Sequence, residues 1–125
     1  MGMAMTMVAM LACMQLKHFV ADYLLQPGWI LRGKCDFRMV GGYVHAGTHA
    51  FGTVPALLLS GVGFSRVAIL VMAEFAAHYL IDYGKALLSR HCHADATTRA
   101  YWAMHGADQF MHQLTYAALI LAVLV

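Results

Sequence analysis

Eight ionisable side chains recur as four pairs, His18/Asp22, His45/His49, His78/Asp82 and Asp108/His112, each spaced i, i+4. On a helix that spacing puts both members on one face, about 6 Å apart along the axis. Imidazole and carboxylate together are ligands for zinc, iron, manganese or nickel rather than for a soft, thiolate-seeking ion. The set exceeds what one tetrahedral ion requires. It therefore suits one divalent transition metal with spare ligands, or two ions about 3.5–4 Å apart. Two rival readings stand beside this one. The same groups can form a hydrogen-bonded network in which each His donates to an Asp and ties helices together. Two imidazoles on facing helices can also ligate a haem iron.

Other residues qualify the picture. Glu74 lies one turn before His78, on the same face. It is a candidate metal ligand, general base or proton relay, or else a carboxylate that orients a ligand His. Lys85 follows Asp82 by three residues and can hold an anionic head group or reach the membrane interface; Lys17 carries the same two readings. His105 reads as a solvated interfacial residue. Cys35 with His91, Cys92, His93 and Asp95 has metal-binding chemistry but no recognised ligand spacing. Met3, Met7, Met10 and Met14 recur at helical spacing and read as packing or lipid-facing residues rather than a copper path.

The elements that must position these groups follow from composition. The chain has 125 residues, of which 62% are hydrophobic and only 11% charged. A soluble domain carries about 25% charged residues. Eight Lys and Arg are too few for a nucleic-acid-binding stripe. The expected fold is all-α: a polytopic membrane protein with four transmembrane helices in an up-down-up-down bundle, one domain over 1–125. The spans read as about 1–26, 40–60, 65–90 and 104–125, with Pro27 ending the first and Ser65 capping the third. The N-terminal segment lacks the basic start of a cleaved signal. Gly41, Gly42, Ala46, Gly47, Ala50 and Gly52 make the second span small-sided, which allows close helix approach.

Topology then gives depth and side. Arg32, Lys34, Arg38, Arg90 and Arg99 share one end of such a bundle, and Arg66 sits at the other. The positive-inside rule places the first end in the cytoplasm and both termini in the periplasm. Trp29, Tyr43, Tyr83, Tyr101 and Trp102 gather towards the same end, as an interfacial aromatic belt does. The first and third spans approach the cytoplasm with their pairs near their C-terminal ends. The second and fourth leave it with their pairs near their N-terminal ends. All four pairs thus fall in one layer below the cytoplasmic boundary. The three Cys do not suggest a disulfide framework.

The segments His18-Phe19-Val20-Ala21-Asp22-Tyr23-Leu24-Leu25-Gln26, His45-x-x-x-His49, His78-x-x-x-Asp82-x-x-Lys85 and Asp108-Gln109-x-x-His112 resemble a family of small bacterial and phage inner-membrane proteins of the DUF3307 type. The resemblance covers nearly the whole chain. It implies a bacterial inner-membrane location and no established activity. A more distant likeness is to small inner-membrane proteins labelled metal-dependent hydrolases. The expected function is an integral membrane metalloprotein that hydrolyses a lipid-linked or amphipathic substrate, with Glu74 and Lys85 assisting. The alternatives are a di-iron-type membrane oxidoreductase, a metal-transport protein or a metal-stapled structural subunit. The expected partners are the lipid bilayer and that substrate, with association of copies left open and no nucleic acid.

Overall fold

The computed structural model describes residues 2–93 and 95–125, and no strand occurs among them. Helix α1 (Met3–Phe19) runs into a single wide π-helical turn, Val20–Leu24. A short helix α2 (Gly28–Gly33) follows Pro27, then α3 (Val40–Leu58), α4 (Phe64–His91) and α5 (Arg99–Leu124). The four long helices close into a ring: α1 packs on α3 and α5, and α4 packs on α3 and α5. Cross-helix partners run in opposite directions along each pair. Gln15 meets Gln113 while His18 meets Gln109, and His45 meets Asp82 while His49 meets His78. Neighbouring helices are therefore antiparallel, as short connectors require.

Several boundaries differ from those expected. The first helix stops at Leu24 rather than Gln26 because the backbone widens before Pro27, where Leu25 N–H bonds to the Val20 carbonyl. Helix α4 starts at Phe64 with Gly63 at its N-cap, so Ser65 is not the cap. Helix α5 starts five residues before Met104, because the Thr98 hydroxyl accepts from the Tyr101 N–H and caps the helix earlier. Ahead of it, the backbone N–H and the hydroxyl of Thr97 both donate to Asp95 Oδ1, and the hydroxyl bond above all holds that carboxyl below its ordinary range. The connector between α1 and α3 holds a helix that its basic character did not announce.

Helix α2 lies on α3 through glycine. A Cβ on Gly33 would sit 2.7 Å from Gly41 Cα, and one on Gly41 would sit 2.8 Å from the Trp29 carbonyl oxygen. The small side of α3 thus admits α2 at Gly41 and Gly42. Lower down, Gly52 seats the stem of Lys17, 3.4 Å from where a Cβ would be.

The ring has two halves. Towards the chain ends it holds an apolar core of Met10, Met14, Leu57, Val67, Leu70, Tyr116 and Leu119. Two of the expected methionines therefore pack inside, whereas Met3 is exposed. The other half is lined by His and Asp. Many large apolar side chains face outward, among them Phe51, Ile69, Phe110 and Leu121. Two helical stretches, Met3–Leu24 and Phe64–His91, are long and apolar enough to cross a membrane. The other two long helices were expected to read the same way and do not. Helix α3 combines His45, His49 and Thr53 with four glycines and Pro55, and α5 combines Asp108 and His112 with Gln109 and Gln113, which lowers their average apolarity.

Candidate metal centre

Each helix brings its pair to one layer because the antiparallel ring aligns the C-terminal ends of α1 and α4 with the N-terminal ends of α3 and α5. The five imidazoles His18, His45, His49, His78 and His112 are all buried. Three of them stack: His49 and His78 have centroids 3.8 Å apart, and His78 and His112 are 4.1 Å apart. His45 lies 4.6 Å from His49, and His18 lies 5.2 Å from His49 and 5.3 Å from His112.

The carboxylates edge this stack. Asp22 Oδ1 is 2.9 Å from His49 Nε2 and 3.1 Å from His45 Nε2, and Oδ2 is 3.2 Å from His18 Nε2. The π turn aims Asp22 inward, and the Gln26 side chain donates to the Asp22 carbonyl at that turn. Such turns collect at functional sites. Asp82 Oδ2 is 3.3 Å from His45 Nε2 and 3.5 Å from His78 Nε2, while Oδ1 is 3.6 Å from His112 Nε2. Asp108 Oδ1 is 3.5 Å from the same His112 nitrogen.

Two ligand groups emerge. Asp22, His45, His49 and His78 offer donor atoms all within 4.8 Å of one another, and so do His78, Asp82 and His112. His78 belongs to both. Its two ring nitrogens, His45 Nε2, His49 Nδ1 and His112 Nε2 are buried and make no hydrogen bond of good geometry among the described residues, although carboxylate oxygens lie 3.1 Å from His45 Nε2 and 3.5 Å from His78 Nε2 and His112 Nε2. Buried imidazole nitrogens left unpaired are costly. A divalent ion accepting their lone pairs would relieve that cost, so the donor set fits a metal.

The remaining expected ligands stand differently. His18 Nδ1 is 2.7 Å from the Tyr116 hydroxyl and Nε2 is 2.8 Å from Gln109 Oε1, so both nitrogens are engaged. Tyr116 then donates to Nδ1 and Gln109 accepts from Nε2–H. The ring so held places Nε2 3.2 Å from Asp22 Oδ2. Asp108 accepts from Lys85 at 2.8 Å and lies outside both groups.

Glu74 is fully buried one turn below the layer and pairs with Lys17, whose ammonium also donates to the His49 carbonyl at 3.0 Å and lies over the Tyr116 ring. Lys17 thus points inward, neither to the interface nor to a head group, because Glu74 is its nearest counter-charge. Among the described residues Glu74 makes no hydrogen bond to a His, and its second oxygen is buried without a hydrogen-bond partner. Lys34, grouped with the loop arginines on sequence, reaches Asp82 at 2.8 Å. His105 is half-buried, 3.3 Å from Lys85. Cys35, His91, Cys92, His93 and Asp95 contribute to neither group. Tyr116 and Gln109 join the site through His18; the spacing signals for them are that Tyr116 follows His112 at the same i, i+4 interval and Gln109 sits beside Asp108.

A cavity of about 200 Å³ opens beside the layer, lined by Asp22, Asp82, Asp108, Lys34, Lys85 and Gln109 among others. It gives the carboxylate edge a route to the outside.

Fold and site together define a class: a ring of antiparallel helices enclosing a buried His/Asp layer. Residues 10–125 match the family described as "Protein of unknown function (DUF3307)", and the chain belongs to that family. No curated protein and no solved structure matches the chain.

Proposed function

We propose that this protein is a membrane-embedded metalloprotein whose His/Asp layer binds one or two divalent transition ions, zinc, iron or manganese. The observation that carries the reading is His78: it is common to both candidate ligand groups, and both of its ring nitrogens are buried without a hydrogen bond. A neutral network would leave fewer such atoms, because each His would be placed to donate, as His18 is.

All four long helices span the bilayer in this reading, as an up-down-up-down bundle. The outward apolar side chains on α3 and α5, including Phe51, Phe110 and Leu121, support it. So do outward hydroxyls that satisfy themselves within their helices, with Thr48 donating to Val44 and Thr115 to Met111. The basic end faces the cytoplasm of a bacterial inner membrane, and both termini face the periplasm. A reporter fused at Val125 that is active only in the cytoplasm should stay silent; activity there overturns the orientation.

The reaction is hydrolysis of a lipid-linked or amphipathic substrate. A structural ion is closed in by protein ligands, whereas a catalytic one keeps an exchangeable position. The cavity that reaches Asp22 and Asp82 supports the open kind. Bound ions would supply Lewis acidity towards a phosphoryl or acyl oxygen and towards water. Asp108, with one oxygen free of hydrogen bonds, is placed to take a proton at the cavity wall. Lys85 offsets its charge. Glu74, buried against Lys17, balances charge below the layer and does not reach the cavity.

Elemental analysis of detergent-purified protein tests the central claim. Wild type offered zinc, iron and manganese should retain metal, and a His45→Ala, His112→Ala double variant should not. Equal metal content in the two overturns it.

A further inference from the structure

The polar cavity has an apolar neighbour. A groove on the outside of α4 and α5 is lined by Leu80, Ile81, Leu88, Met104, Ala107 and Met111. Lys85 and Asp108 line both the groove and the cavity, so this ion pair is their common wall. Gly84 forms part of the groove, and a Cβ there would meet nothing within 4 Å. From Leu88 to Leu80 the groove runs about 12 Å along the helix axis. It leads away from the basic end, in the direction an acyl chain of the adjacent leaflet takes.

The cavity side carries the charge. Lys34 donates to Asp82 Oδ2 and Lys85 to Asp108 Oδ2, each at 2.8 Å. His112 Nε2 lies between those two carboxylates, 3.6 Å from Asp82 and 3.5 Å from Asp108. Two lysines from different elements, α4 and the end of α2, thus line one cavity. A phosphate monoester carries about two negative charges at neutral pH and matches two such cations, where a carboxylate would need one.

We propose that cavity and groove form one site for a phosphate-bearing amphiphile, its head group between Lys34 and Lys85 and its single apolar chain along Leu80, Ile81, Gly84 and Met111. The proposal rests on the metal reading above. Three aspartates face two lysines in the cavity. That excess of negative charge repels a phosphate until a divalent cation is bound to Asp22 or Asp82.

Equilibrium binding to detergent-purified protein tests it. The probes are lysophosphatidic acid, its uncharged monoacylglycerol counterpart and inorganic phosphate, each with zinc-loaded and with chelator-treated protein. Zinc-loaded protein should bind lysophosphatidic acid about tenfold or more tightly than either other probe, and chelation should abolish that preference. A Gly84→Leu variant fills the groove without touching a ligand residue. It should keep its zinc and its phosphate affinity and lose about tenfold in lysophosphatidic acid affinity. A Lys34→Gln, Lys85→Gln variant should keep its zinc and lose the preference for the charged head group. Zinc-loaded protein that binds lysophosphatidic acid no better than monoacylglycerol overturns this inference and leaves the metal reading standing. Phosphate bound as tightly as lysophosphatidic acid removes the acyl groove and assigns the cavity to free phosphate, which also overturns the proposal. Protein that takes up none of zinc, iron and manganese overturns both.

Discussion

The imidazoles of His49 and His78 stack with centroids 3.8 Å apart and 27° between their planes. Stacked rings cannot bond to each other through their edge nitrogens. Those nitrogens point to the rim of the stack instead, where Asp22 and Asp82 stand on either side. His78 is the middle ring, with His112 on its other face.

His78→Ala removes a donor from both ligand groups at once, so metal content should fall to background. His18→Ala removes the ring that Tyr116 and Gln109 hold beside Asp22, which should weaken metal affinity about 10–100-fold without abolishing it. Competitive titration against a chromogenic chelator separates the two. Equal loss in both variants would show that His18 binds metal directly.

The Lys17–Glu74 pair predicts a strongly non-additive result. Lys17→Met leaves Glu74 buried and uncompensated, and Glu74→Met does the same to Lys17. Each should cost about 3–5 kcal/mol, while the double variant should recover most of that loss. Unfolding in mixed micelles measures all three. Additive losses would mean that the two side chains do not act as a pair.

Glycine contact predicts a contrast within one short helix. Gly33→Ala drives a methyl towards Gly41 Cα, where backbone and not a flexible side chain must yield. It should cost about 1–3 kcal/mol. Gly28→Ala meets only the end of the Arg32 side chain at 3.4 Å and should be close to neutral. Comparable midpoints for the two variants would place α2 elsewhere.

Metal removal should destabilise the fold itself. An ion that binds only the folded state stabilises by about 2.7 kcal/mol at a hundredfold excess over its Kd. Chelated protein should therefore unfold at a clearly lower midpoint, and added zinc should restore it. A midpoint indifferent to chelator in protein shown to hold metal would indicate an ion bound equally well by the unfolded chain.

Much of this was legible from residue types and spacing. The four i, i+4 pairs, the helical class and the convergence of the pairs in one layer follow from helix period and connector length. The roles of Lys17, Lys34 and Tyr116 were not legible. Each depends on a partner on another helix: Glu74 for Lys17, Asp82 for Lys34 and His18 for Tyr116. Nothing local distinguishes an inward-turned lysine from one that reaches the interface. The π turn was equally hidden, since its cause is a shift in backbone bonding before Pro27 rather than a particular residue type.

Residue types and spacing specify which side chains share a helix face, and that they are too polar to be left unpaired in an apolar chain. How they divide is a product of helix packing. It drew Asp22, His45, His49, His78, Asp82 and His112 into two groups that share one imidazole, and it bound His18 and Asp108 to other partners. The reason is physical: helix periodicity sets direction within one helix, whereas the choice of partner depends on the rotation and close approach of its neighbours. Those are set by packing at Gly33, Gly41 and Gly52 and by the buried Lys17–Glu74 pair.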